Sequence, residues 1–214
     1  MQNIIRKLVL FCLTFVICTS ANLSNAVQAA DFSPTQLKKM STFLSNFTEL
    51  GFRDFDIKKD VDDDMLHLGS DPSHLDLIRF GIWHNYVNNF KSRIQKCSTK
   101  DCKYGSLVID GQYVAESVKK YFAINLKNAS VEQSDPPYHF DGKFYHFEGA
   151  DGEAVYYAWV KQATQEGGII RMTGELYNIE NKNDRPATFV AMAKPYKWKG
   201  KDTWAILSMK TTQR

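Results

Sequence analysis

Two histidines and two cysteines are the side chains in this sequence best suited to chemistry. His139 and His146 lie in YHFDGKFYHF (138–147). Its period of two around Asp141-Gly142 predicts a β-hairpin with a two-residue type I′ turn. That register sets Phe140 opposite Lys143, His139 opposite Phe144 and Tyr138 opposite Tyr145. Tyr138, Phe140, Tyr145 and Phe147 then share one face, and His139, Phe144 and His146 the other. Diagonal neighbours across such a pair lie about 7–8 Å apart, close enough for two imidazoles to hold a metal or line a ligand pocket. The balance favours a plainer role, the wetter face of an edge hairpin, with Pro136 and Pro137 marking the edge.

Cys97 and Cys102 stand five residues apart in CSTKDC. Two thiols are too few for a zinc site, and the spacing is not the C-x-x-C of a redox pair. In an exported chain they read as a disulfide that fixes a short loop. A third candidate is YKWKGK (196–201), where Tyr196, Lys197, Trp198 and Lys199 interleave rings with ammonium groups. That mixture suits a glycan, an anionic polymer or an acidic protein surface. Lysines in such a turn also serve simply to keep sheet edges from pairing. There is no G-x-S-x-G elbow, no phosphate-cradling glycine pattern and no H-E-x-x-H, so neither cofactor nor metal is expected.

The compartment follows from the first residues. Arg6 and Lys7 precede the apolar run LVLFCLTFVIC (8–18), which is too short to cross a bilayer, and a small-residue site follows at 26–30. Residues 1–29 are expected to be a signal peptide cleaved before Ala30, leaving a secreted or periplasmic domain over 30–214. Ile17 is too bulky for a lipoprotein site at Cys18, and no later stretch suits a membrane helix. Cleavage removes two of 27 basic residues and no acidic ones, so 25 face 24 and the net charge falls from +3 to +1. General attraction to nucleic acid loses its support. Cys97 and Cys102 become the only cysteines.

The elements that must position these groups divide the chain in two. A helical part covers about 33–125. Ser33-Pro34-Thr35-Gln36 is a capping box with Pro at N1, followed by a stripe of Leu37, Met40, Leu44 and Phe47, with Phe43 and Leu50 beside it. A second helix is expected from Asp71-Pro72. In it Ile78, Ile82, Tyr86, Phe90 and Ile94 recur every fourth residue, with Leu75, Trp83 and Val87 widening the apolar face. His84 falls about 200° from Ile82, beside Phe80 and Lys91 on the solvated side. Between these helices, Asp60, Asp62, Asp64 and Asp71 are spaced like calcium ligands. Met65 replaces the required glycine and Asp71 the bidentate glutamate, so a solvated acidic loop is the better reading. SLVID (106–110) suits a strand, and Asp110 caps a third helix over 111–126.

From about 138 to 212 the period is two. Hairpins at 138–147, 155–179 across Gly167-Gly168, and 187–210 with a longer turn through Gly200 predict an antiparallel meander. The fold class is therefore α+β, with N-terminal helices packed on a C-terminal antiparallel sheet. The element order resembles that of cystatin-like or nuclear-transport-factor-2-like folds, a likeness that brings no site residues. Two functions fit. One is an exported non-catalytic binding domain using the sheet and its loops. The other is an envelope or cell-wall hydrolase built from distant acids and histidines, since two carboxylates need no local motif.

Overall fold

Ser33 caps the first helix, α1 (Pro34–Thr48), as its sequence requires: Ser33 N donates to Gln36 Oε1 at 2.8 Å, and Gln36 N donates back to Ser33 Oγ. Met40, Phe43, Leu44 and Phe47 are buried on the predicted face. This computed structural model describes residues 32–57, 75–132, 135, 137–150 and 156–214. The expected signal peptide to residue 29, the acidic run from Asp60 to Asp71, the expected helix start at Asp71-Pro72, and Pro136 and Val155 lie outside the described residues. The remaining helices are α2 (Leu75–Arg93) and α3 (Gly111–Phe122), the latter capped by Asp110, whose side chain accepts from Gln112 N at 2.8 Å. The strands are β1 (Phe55–Asp56), β2 (Ile94–Lys96), β3 (Leu107–Asp110), β4 (His139–Phe140), β5 (Phe144–Phe147), β6 (Tyr156–Glu166), β7 (Ile169–Asn178), β8 (Ala187–Trp198) and β9 (Lys201–Gln213).

The fold is α+β with antiparallel strands, but the strands divide into two sheets. β6 to β9 form the expected meander, extended by β1 in the order β1-β9-β8-β7-β6. The hairpin of β4 and β5 joins a separate sheet, β2-β3-β5-β4, because the short strands flanking the cysteine loop pair with it.

Helices α2 and α3 stand between these sheets and feed two cores. Leu77 and Phe80 of α2, with Val118, Tyr121 and Phe122 of α3, pack towards the large sheet. Ile78, Ile82 and Val114 pack towards the small one. A helix between two cores buries two faces, and this corrects the single-face expectation for α2. Phe80 is fully buried. His84 is 6 % exposed, stacked 5.5 Å from Phe80 and edge-on to Tyr121 at 4.7 Å. Val87 and Phe90, expected in the core, are 53 % and 43 % exposed, because no α2 residue beyond Asn85 is buried and the helix kinks at Asn89.

Between the helices, fully buried Asn85 donates to Gly81 O and Ser117 Oγ and accepts from Arg93 Nη1. Arg93 pairs with Glu116 at 3.1 Å. These bonds satisfy polar groups that burial would otherwise penalise.

Candidate functional site

The tip carrying Tyr196, Lys197, Trp198 and Lys199 is not the long turn expected. β8 and β9 pair as far as Trp198 and Lys201, leaving only Lys199 and Gly200 as the turn, at φ 48° and 79°. Those two left-handed residues suit the twist of the strands they join. Lys197 pairs with Asp202 at 2.7 Å, and Lys199 pairs with Glu116 of α3. The carboxyl of Glu116 is held below its ordinary range, first by Lys199 and then, against some burial, by Arg93. The two lysines therefore have carboxylate partners within the fold.

A stronger cluster of rings and cations forms elsewhere, along the seam of α1 and the edge strand β6. The seam is closed by two hydroxyls of α1: Ser45 Oγ accepts from Ala158 N at 3.1 Å, and Ser41 Oγ from Val160 N at 2.9 Å. Outside it lies a groove of about 800 Å³, within the range of ligand sites. Tyr157, Trp159 and Lys161 come from β6, Tyr177 from β7, Lys182 and Arg185 from the β7–β8 connection, and Lys38 from α1. Tyr157 pairs with Tyr177 across the strands, rings 6.1 Å apart. Trp159 is 43 % exposed, with Lys161 Nζ 5.0 Å and Arg185 Cζ 4.7 Å from its ring centroid.

Beneath these cations sits Glu175, 6 % exposed. It accepts from Lys161 at 2.5 Å, Arg185 at 2.9 Å and Arg214. Lys161 first, then Arg214 and Arg185, outweigh burial and hold its carboxyl near 2. One carboxylate against three cations leaves positive charge over. Among the described residues lining the groove, four are basic and none is acidic.

The cysteines and histidines assemble in the small sheet. Cys97 continues β2, its N donating to Ser106 O at 2.8 Å, so the CSTKDC loop joins β2 to β3. Gly105, at φ 125°, lets this loop approach β5. A Cβ there would lie 2.2 Å from the Phe147 carbonyl, an overlap no side chain tolerates. The sulfurs are not at bonding distance. Instead of the expected disulfide, both are free thiols, 3.4 Å (Cys97) and 3.5 Å (Cys102) from His146 Nδ1. The other ring nitrogen, Nε2, lies 3.0 Å from Asp141 Oδ2.

Asp141 also corrects the hairpin register. Its Oδ1 accepts from Lys143 N and Phe144 N, and its own N donates to Phe144 O. The turn therefore centres on Gly142 and Lys143, one residue later than expected, with Gly142 at φ 102°. Every pairing moves by two residues and both faces are preserved: His139 stands opposite His146 and Phe140 opposite Tyr145. The two imidazoles become direct rather than diagonal neighbours, 5.6 Å apart. His139 faces outward, stacked on Tyr104 at 4.2 Å with Nδ1 2.6 Å from Glu132.

Neighbouring groups in this cluster shift one another's protonation. Burial lowers the affinity of His146 for protons, but its bonds to Asp141 and Cys97 outweigh this and raise it. Burial acts to raise the Cys97 thiol. Its bonds with Thr99, His146 and Cys102 prevail and lower it. Two Phe144- and Lys143-directed backbone bonds, with His146, bring Asp141 down to about 2.

Sequence position hid both clusters. The period of two over 155–165 predicts the strand but does not single out Tyr157, Trp159 and Lys161, and Lys38, Tyr177 and Arg185 join them only through the fold. The cysteines and His146 are likewise 44 residues or more apart. Comparison with protein families, curated proteins and solved structures gives no match to this chain.

Proposed function

We propose that this chain is an exported, non-catalytic binding domain whose ligand lies in the α1–β6 groove, not at the β8–β9 tip. The carrying observation is the convergence of Tyr157, Trp159 and Tyr177 with Lys38, Lys161, Lys182 and Arg185 around one concave surface. The ligand is an anionic oligosaccharide: sugar rings stack on exposed aromatic faces, and its acidic groups meet the cations. The hydrolase alternative gains less support. A two-carboxylate mechanism needs an acid that can donate a proton. Glu175, the carboxyl paired with the groove's Lys161 and Arg185, is buried, engaged with three cations and held near 2. Calorimetry with a uronate-bearing oligosaccharide and its neutral counterpart tests the reading. Binding of the acidic form alone supports it. Equal binding of both, or turnover of either, would sink it.

A further inference from the structure

Beyond the groove, we infer that Cys97, Cys102 and His146 form a zinc site, with Asp141 orienting the histidine and a fourth coordination position left to water. The three ligand atoms lie within 4.8 Å of one another. Tetrahedral zinc with bonds of about 2.0–2.1 Å to nitrogen and about 2.3 Å to sulfur requires an N···S edge of about 3.6 Å. The observed separations from Nδ1 are 3.4 and 3.5 Å. A thiol–imidazole contact alone needs one sulfur; here two converge on one lone pair.

The direction of that lone pair is set from behind. Asp141 is fixed by two backbone bonds of its own turn, and its Oδ2 faces His146 Nε2. A carboxylate only accepts, so Nε2–H is the donor of this bond, and the neutral ring that binds a metal then presents its Nδ1 lone pair to the sulfurs. A carboxylate behind a histidine ligand is how proteins fix the ring and raise its basicity towards zinc. Two thiolates and an imidazole suit zinc, borderline in softness, better than calcium or magnesium. Upon binding, each thiol loses its proton to solvent, the two thiolates and Nδ1 bond to Zn²⁺, and no oxidation state changes. The site ties the β2–β3 loop to β5, work that a disulfide between the cysteines would not do.

The test uses the full mature chain, reduced and stripped with a chelator. Both thiols are first counted by alkylation, and Co²⁺ is then titrated as a spectroscopic probe for zinc. The expected result is one equivalent bound, with thiolate-to-cobalt charge-transfer absorption that Zn²⁺ abolishes, and both thiols protected from alkylation by Zn²⁺. Asp141→Asn should weaken Zn²⁺ affinity about 10- to 100-fold, as loss of such a supporting group does. His146→Gln, which keeps both thiolates, should shift the charge-transfer absorption rather than abolish it and lower affinity further. If Cys97→Ser fails to fold, alkylation protection in the unaltered chain still decides. Folded, fully reduced protein that binds no Co²⁺, or binds it without charge transfer, overturns the site. So does zinc-supplemented export that yields a quantitative Cys97–Cys102 disulfide.

Discussion

The Arg185 guanidinium stands 4.7 Å from the centre of the Trp159 ring while donating to Glu175 at 2.9 Å. One buried carboxylate thus holds a cation beside an exposed indole, and Lys161 is held in the same way. Side chains ordered before a ligand arrives lose less freedom on binding. Several consequences of this architecture are measurable.

The edge strand β6 depends on two serines of α1. Ala158 and Val160 are each 2 % exposed, and their N–H groups donate to Ser45 and Ser41. Replacing either serine with alanine leaves a buried donor unpaired, a loss of about 1–3 kcal/mol. Urea melts should show a lowered midpoint with unchanged slope. A change below about 0.5 kcal/mol, typical of surface sites, would refute the seam.

Stability should fall in acid through His84. Burial first, then the nearby charges of Lys120 and Arg93, lower its pKa from 6.5 to about 4. The folded state therefore binds fewer protons than the unfolded one between these values. Its contribution is complete above about pH 6.5, is lost as pH falls towards 4, and amounts to about 3 kcal/mol at 1.36 kcal/mol per unit. His84→Phe, which keeps a ring on Phe80, should flatten that part of the pH–stability profile. A parallel profile in the variant would contradict the assignment.

Gly81 lets α2 approach Val114 of α3 closely. A Cβ there would lie 2.6 Å from Val114 Cγ1 and 2.9 Å from its carbonyl oxygen. Helix propensity alone would make Gly81→Ala stabilising by about 1 kcal/mol. Overpacking should instead make it destabilising by about 1–3 kcal/mol. The sign of the change in thermal or urea stability decides.

Export rests on residues 1–29, whose basic start, short apolar run and small-residue site predict cleavage before Ala30. N-terminal sequencing of protein from its native host should begin at Ala30 or Asp31. Protein retaining Met1 would contradict it.

Local signals in the sequence proved legible where neighbours in the chain supply the physics. The Ser33 capping box, the Asp110 cap, the α1 stripe and the β6–β9 meander all depend on contacts a few residues away or on adjacent strands. Two features needed the whole fold. The phase of α2 assumed one buried face, whereas two sheets bury two, placing Phe80 and His84 inside. The sheet division depended on β2 and β3, of three and four residues, too short to announce a second sheet. Of the candidate site residues, His146 keeps company with the cysteines, while the lysines of the β8–β9 tip are tied to acids. The groove gathers residues from 34 to 185, and nothing local in the sequence joins them.

The central claim, that the binding surface is the α1–β6 groove, is tested most directly by comparing two double variants in one affinity titration. The ligand is a uronate-bearing oligosaccharide. Lys38→Glu with Trp159→Ala removes one cation and the exposed ring of the groove. Lys197→Glu with Trp198→Ala alters the tip to the same extent. The groove variant should lose tenfold or more in affinity with its fold intact by circular dichroism, and the tip variant should stay within twofold of the unaltered chain. Affinity of the latter should fall as salt shortens the screening length from about 10 Å at 0.1 M to about 3 Å at 1 M. Full affinity in the groove variant, with loss in the tip variant, would contradict the account.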